Sequence, residues 1–174
     1  QAAYRGQEVF DFPVGTVIAK TFTIQADLRD DSSAEEIIET RVLIHRKEGW
    51  RALPYIWNED KTDAVLSVAG GTKNVSWIDI NGEQQSTGYV IPNTNNCANC
   101  HNEKNLRPIG PKARSLNKDY AYADGTANQL DYWTDQGILV GAPEDKASID
   151  TIPLWGDTSA DLDAWPGAHH NAHP

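Results

Sequence analysis

Residues 39–57 read ETRVLIHRKEGWRALPYIW, and the fold class turns on them. Residues 39–47 place Val42, Leu43 and Ile44 within a polar, strand-forming run, and Glu48-Gly49 ends it. Residues 50–57 resume with Trp, Tyr and Ile. Pro54 lacks the amide that a central ladder position needs, so it suits an edge or a bulge. Upstream, residues 16–26 (TVIAKTFTIQA) alternate and put Ile18, Lys20, Phe22 and Ile24 on one face. Downstream, residues 64–68, 75–80 and 87–91 read as further strands. The breaks fall at Gly70-Gly71 and at Asn81-Gly82, the second a hairpin signal. Short strands at this spacing predict an antiparallel sheet or sandwich over residues 12–92.

The texture changes after Pro92. Residues 93–102 are rich in Asn and hold both cysteines, and residues 106–116, with two prolines and a glycine, read as a fixed loop. Thr126-Ala127-Asn128-Gln129 matches a capping box, with Leu130 and Trp133 on one helical face and Gly137 as the stop. Beyond Gly141 the chain is acidic and short of periodicity, which predicts a wrapping or disordered tail over 141–174.

The 174 residues suit a single domain. No apolar run approaches the length of a membrane span, and the mean hydropathy is −0.57. Six Trp, six Tyr and three Phe supply core material, which argues against wholesale disorder. The net charge of −10 is uneven: residues 1–118 carry 15 acids and 14 bases, whereas residues 119–174 carry ten acids and only Lys146. No basic stripe exists to neutralise phosphates, so a nucleic-acid partner is not expected. Gln1-Ala2-Ala3-Tyr4-Arg5 has no leader-like charged start and apolar stretch, so the chain reads as a mature product, a cytosolic protein or an excised domain.

Cys97-Ala98-Asn99-Cys100-His101 is C-x-x-C-H, the attachment signature of c-type haem. On a helical turn residues i, i+3 and i+4 share a face, so two thiols can add to the haem vinyl groups while the adjacent imidazole of His101 reaches the iron. Asn96 is placed to cap that turn. A zinc site needs four ligands and this chain has two cysteines. A thioredoxin-like pair needs no following His, and a structural disulfide leaves His101 unexplained. Shuffling the two Cys and five His produces the motif in roughly 3 of 10,000 chains. Covalent haem is attached outside the cytoplasm, so the motif implies a periplasmic, cell-surface or secreted location. The fold expected from the whole reading is α+β: a β-rich part over 12–92, a haem-attachment and helical part over 93–140 whose short helical segment carries C-x-x-C-H, and the tail.

The iron's other face is open to several readings. Methionine, the common sixth ligand that raises the potential of cytochromes c, is absent. His45 shares a strand face with Arg41 and Leu43 and competes as a ligand with its reading as a surface His in a charged cluster. Lys20 shares a face with apolar residues; it either snorkels to the rim or, deprotonated, sits over the iron. His169, His170 and His173 belong to the tail, and an open position is the remaining choice. Arg107, Lys112 and Arg114 flank the motif as candidate partners for the haem propionates.

The blocks FPVGTVIAKTF (12–22), ETRVLIHRKEGW (39–50), ALPYIWNEDKTDA (52–64), YVIPNTNNCANCHN (89–102), PIGPKARSLN (108–117) and NQLDYWTDQGIL (128–139) follow one another in order. Together they resemble bacterial secreted c-type cytochrome modules appended to carbohydrate-binding domains or sugar dehydrogenases. The resemblance runs from about Phe12 to about Leu162. It implies extracytoplasmic redox work near polysaccharide oxidation, with a copper polysaccharide monooxygenase or a sugar dehydrogenase as redox partner, and one module of a longer protein. Members often carry another C-x-x-C-H downstream; here that region reads WPGAHHNAHP, so one haem c is expected. FPVGTVIAKTF ahead of a late C-x-x-C-H is also similar to P460-type cytochromes, which implies a sheet-based fold with an open iron site.

Three functions follow. The leading one is electron transfer by a mono-haem cytochrome. The alternative is a haem enzyme or peroxide- or nitric-oxide-binding protein with a vacant sixth site. The third is a plain β-domain with a disulfide and no haem.

Overall fold

A computed structural model describes residues 1–101 and 106–153. In chain order the elements are β1 (Ala2–Ala3), β2 (Val17–Gln25), β3 (Glu35–Arg46), β4 (Gly49–Trp57), β5 (Ala64–Leu66), β6 (Gly71–Ile78), β7 (Gln84–Ile91), α1 (Cys97–His101), α2 (Ala113–Leu116), β8 (Asp119–Tyr122), β9 (Gly125–Asn128), α3 (Gln129–Asp135), β10 (Leu139–Val140) and a 3-10 turn at Lys146–Ser148. They form two compact units, Asp11–Ile109 and Gln1–Phe10 with Gly110–Pro174.

The unit Asp11–Ile109 is built on an antiparallel sheet in the order β2-β3-β4-β5. β3 and β4 join through Lys47-Glu48, with Arg46 opposite Gly49. Gly49 takes φ +103, open to a residue without a Cβ. Pro54 fits the strand because its carbonyl, accepting from the Ser67 amide at 2.9 Å, points to the β5 side. A strand residue's N and O project to the same side, so the missing donor falls beyond the end of β5.

β3 carries one irregularity with wide effect. Phe22 opposes Glu39 and Thr23 opposes Ile37, which leaves Ile38 as an extra residue in β3. Strict alternation buries one of two successive residues; this bulge re-aims the strand, and Ile38 and Glu39 are 2% and 0% exposed. Ile38 joins Val75 and Ile91 as the buried core, with Ile24, Ile56, Trp77 and Tyr89 packed on it. The core thus lies between the sheet and the β6–β7 hairpin.

The hairpin expected from Asn81-Gly82 is present, and its connection is longer than those two residues. The Asp79 amide donates to the Glu83 carbonyl at 2.9 Å, Gly82 N to Asp79 O at 3.0 Å, and Gly82 has φ +85. The Asp79 carboxylate accepts from the Asn81 and Glu83 amides at 2.8 and 2.9 Å, so a longer loop is organised around its first residue.

The other unit pairs β1 with β10 in parallel and β8 with β9 in a hairpin. Ala2, Phe10, Ala113, Leu130 and Leu139 are buried. α3 is capped by Asn128, whose side chain accepts from Leu130 N at 2.9 Å, while Thr126 lies in β9; the capping box is thus displaced by two residues. Its C-terminus closes at Gly137 (φ +66) as expected, with Ile138 N on Trp133 O and Gly137 N on Thr134 O. Asn117, buried, donates to the Lys146 and Ile149 carbonyls and accepts from Asn128, tying residues 146–149 to the helix start. The loop expected over 106–116 ends in the short helix α2. Residues 154–174, with His169, His170 and His173, lie outside the described residues.

The α+β expectation is corrected: the described residues are mostly β, 44% strand against 13% helix, and their three small helices are isolated turns that build no helical part of the fold. The physical reason is length. Helices of four to seven residues fall short of what propagation needs to offset nucleation, so they persist as single turns held by their surroundings. No helix among the described residues is long and apolar enough to cross a membrane.

Asp27 supplies a pH test of the link between the two layers. The bridge from Asp27 to Ile78 joins the end of β2 to β6, and Arg29 donates Nε, Nη2 and its own amide to the Asp27 carboxylate at 2.9, 2.7 and 3.0 Å. These bonds hold its pKa down from 3.8 to about 2. A folded-state pKa below the unfolded one gives stability that is full above about 3.8 and lost as pH falls through about 2. Asp27→Asn is expected to lower the urea midpoint at neutral pH, with the difference from the parent shrinking to nothing in strong acid. A difference that stays constant along the pH series would show that the carboxylate's charge is not its source.

Candidate functional site

The C-x-x-C-H turn is held from outside. The Thr94 amide and hydroxyl both donate to the Val68 carbonyl at 3.1 Å, where β7 gives way to the turn. Gly70, at φ +71, lies so close to Ile91 and Asn93 that a Cβ would overlap their backbone atoms. Asn93 and Asn96 exchange bonds: the Asn93 carboxamide accepts from Asn96 N at 2.9 Å, and the Asn96 carboxamide from Asn93 N at 3.2 Å. Asn96 was expected to cap the turn; its side chain instead reaches back to Asn93.

On α1, Cys97 and Cys100 stand three residues apart with His101 next, and both thiols are free. The Cys97 thiol approaches the Asn93 carbonyl at 3.6 Å. His101 Nδ1 lies 2.8 Å from the Arg107 carbonyl oxygen. A carbonyl only accepts, so in the neutral ring Nδ1 carries the proton and Nε2 keeps a lone pair. Proteins fix the tautomer and orientation of metal-ligating imidazoles in this way. Arg107 therefore contributes its backbone, and its side chain is exposed.

The sheet adds a charged cluster. Across the strands, Lys20, Arg41 and Pro54 form one row, and Phe22, Glu39, Ile56 and Val65 another, with the row of Thr21, Thr40, Tyr55 and Leu66 between them. Arg41 donates Nε and Nη2 to the Glu39 carboxylate at 3.0 and 2.6 Å, and the Tyr89 hydroxyl donates to Glu39 at 2.9 Å. The Arg41 guanidinium lies 4.1 Å from the centre of the Phe22 ring, and the Lys20 ammonium 4.9 Å from the same ring. Burial and the bond to Glu39 raise the Tyr89 phenol. Burial pushes the Cys97 thiol up; the Arg41 charge opposes that rise and the Glu39 charge adds to it.

The remaining candidates are scattered. Lys20 is exposed at the edge of the sheet. His45 is half-buried, its Nδ1 2.8 Å from the Phe12 carbonyl and its ring stacked on Trp50 at 4.6 Å. It stands four residues beyond Arg41 along β3, about 13 Å at the rise of a strand. Lys112 precedes α2 and pairs with Val9, and Arg114 directs Nη1 to the Gln7 carbonyl and side-chain oxygen at 3.5 and 3.3 Å; both belong to the other unit. Sequence reasoning missed Glu39, Arg41 and Tyr89 as a group. Glu-x-Arg on a strand was the available signal. Among the described residues, no three His, Cys, Asp or Glu side chains gather to hold a bare metal ion.

No protein-family model, curated protein or solved structure matches this chain.

Truncating Arg41 leaves the fully buried Glu39 without its cation. Arg41→Ala is expected to cost about 3–5 kcal/mol of stability, and Glu39→Gln combined with Arg41→Met to recover most of it. Urea unfolding of the single and double variants measures both. A single variant as stable as the parent would show that the pair does not carry this part of the sheet.

Proposed function

We propose that Cys97 and Cys100 attach one haem c, that His101 is its proximal iron ligand, and that the protein transfers electrons outside the cytoplasm. One observation carries the reading: His101 Nδ1 is engaged by the Arg107 carbonyl while two free thiols occupy the same turn. The residues fit the group. Each thiol S–H adds across a vinyl C=C, forming a thioether with no oxidant required, and Nε2 supplies the ligand lone pair. Bound haem supplies a one-electron ferric–ferrous couple.

The chain's own groups set the surroundings of that couple. Arg107 fixes the imidazole, and Glu39 holds the Arg41 charge in one place. The resemblance to secreted modules supports a redox partner such as a copper polysaccharide monooxygenase or a sugar dehydrogenase. A second reading, a haem enzyme or small-ligand protein with a vacant sixth site, is favoured by the absence of Met from the chain.

Production in a periplasm with haem-attachment machinery tests the proposal. Haem is expected to stay on the chain in a denaturing gel, and Cys97→Ala with Cys100→Ala to abolish the stain; an unstained parent would end the haem reading. With no Met ligand, the reduction potential is expected below that of His/Met cytochromes c. A value at or above theirs contradicts the assignment. Rapid carbon monoxide binding to a high-spin ferrous form selects the second reading, and an unresponsive low-spin spectrum selects electron transfer.

A further inference from the structure

We propose that the surface around β5 is the docking site for a redox protein whose apolar contact patch is ringed by lysines or arginines. This deepens the electron-transfer reading and rests on it. Val65, Leu66 and Val68 are 66%, 44% and 59% exposed; Val65 and Leu66 project to opposite faces of β5, so aliphatic side chains flank this sheet edge on both sides. Single exposed aliphatics are ordinary, whereas a cluster marks a contact surface.

The patch is joined to the C-x-x-C-H turn. Val68 accepts both bonds from Thr94, three residues before Cys97, and Gly70 packs on the backbone from Ile91 to Asn93. Val65 ends the row that runs through Ile56, Glu39 and Phe22. Tunnelling falls steeply with distance, so a partner must approach by a surface continuous with the attachment turn, and this one is.

Its charge specifies the partner. The loop leading into β5 exposes Glu59, Asp60 and Asp63. Asn58 fixes the loop's shape by accepting from the Thr62 and Asp63 amides at 2.9 and 3.3 Å. The cation in the loop, Lys61, is turned away to the Glu35 carbonyl at 3.1 Å. An apolar patch with an acidic rim, on a chain of net charge −10, is complementary to a basic partner and steers it electrostatically.

The test uses lysine-rich mitochondrial cytochrome c as the probe and a preparation first shown by haem stain to carry covalent haem. Stopped-flow oxidation of the reduced protein is followed for the parent, for Glu59→Lys with Asp60→Lys and Asp63→Lys, for Val65→Ser with Val68→Ser, and for a control, Glu48→Lys, exposed at the opposite end of β4 from this loop. At low salt the rim reversal is expected to slow the reaction about tenfold or more, an effect that shrinks as salt is raised. The serine variant should slow it at every salt concentration, and the control should stay within about twofold. Equal slowing by rim and control reversals, or no slowing by either, overturns the docking site while leaving the haem reading intact. A preparation without covalent haem overturns both, and the stain identifies that case before any rate is measured.

Discussion

A buried carboxylate organises the larger unit. The extra residue in β3 turns Ile38 into the core and Glu39 in with it, and an unpaired carboxylate there would cost several kcal/mol. Its partners come from two layers. Arg41 sits two residues along the same strand, and Tyr89 belongs to the opposing hairpin. Satisfying Glu39 therefore couples the hairpin to the sheet and holds the Arg41 guanidinium over Phe22, and the two charges act on Cys97 with opposite signs. Core packing and the electrostatics of the C-x-x-C-H turn share one cause.

The turn itself has little stability of its own. Five residues cannot sustain a helix, so the positions of Cys97, Cys100 and His101 are set by bonds from outside: Thr94 on Val68, the Asn93–Asn96 exchange, and the Arg107 carbonyl on His101. A C-x-x-C-H motif tempts one to expect a helical domain around it. Here a β scaffold performs the anchoring through backbone carbonyls, which is why a mostly β chain can present this motif at all.

Periodicity made β2, β3 and β4 legible, because half-buried strands repeat every two residues. The motif was legible because its spacing is chemical. What escaped reading depended on contacts distant in sequence. The bulge at Ile38 exists only against Phe22 and Thr23, so the burial of Glu39 was invisible in a run that alternates passably without it. The β8–β9 hairpin went unread since Asp119–Tyr122 is four residues of mixed character, and its last strand absorbed the Thr126 expected as a cap. The Arg107 carbonyl on His101 is equally invisible in sequence, because every residue has one.

His45 and His101 show what local geometry decides and what it does not. Each has Nδ1 2.8 Å from a backbone carbonyl, Phe12 for one and Arg107 for the other, so each neutral ring offers a lone pair at Nε2. By tautomer alone the two are equivalent ligands. His45, however, stacks on Trp50 near the end of β3, away from Arg41 and the charge that Cys97 experiences. His101 stands beside two free thiols on one turn. Preorganising an imidazole thus occurs twice among the described residues. Only the neighbouring thiols give the second instance a chemistry, so the site is defined by which groups are brought together rather than by how well any one of them is poised.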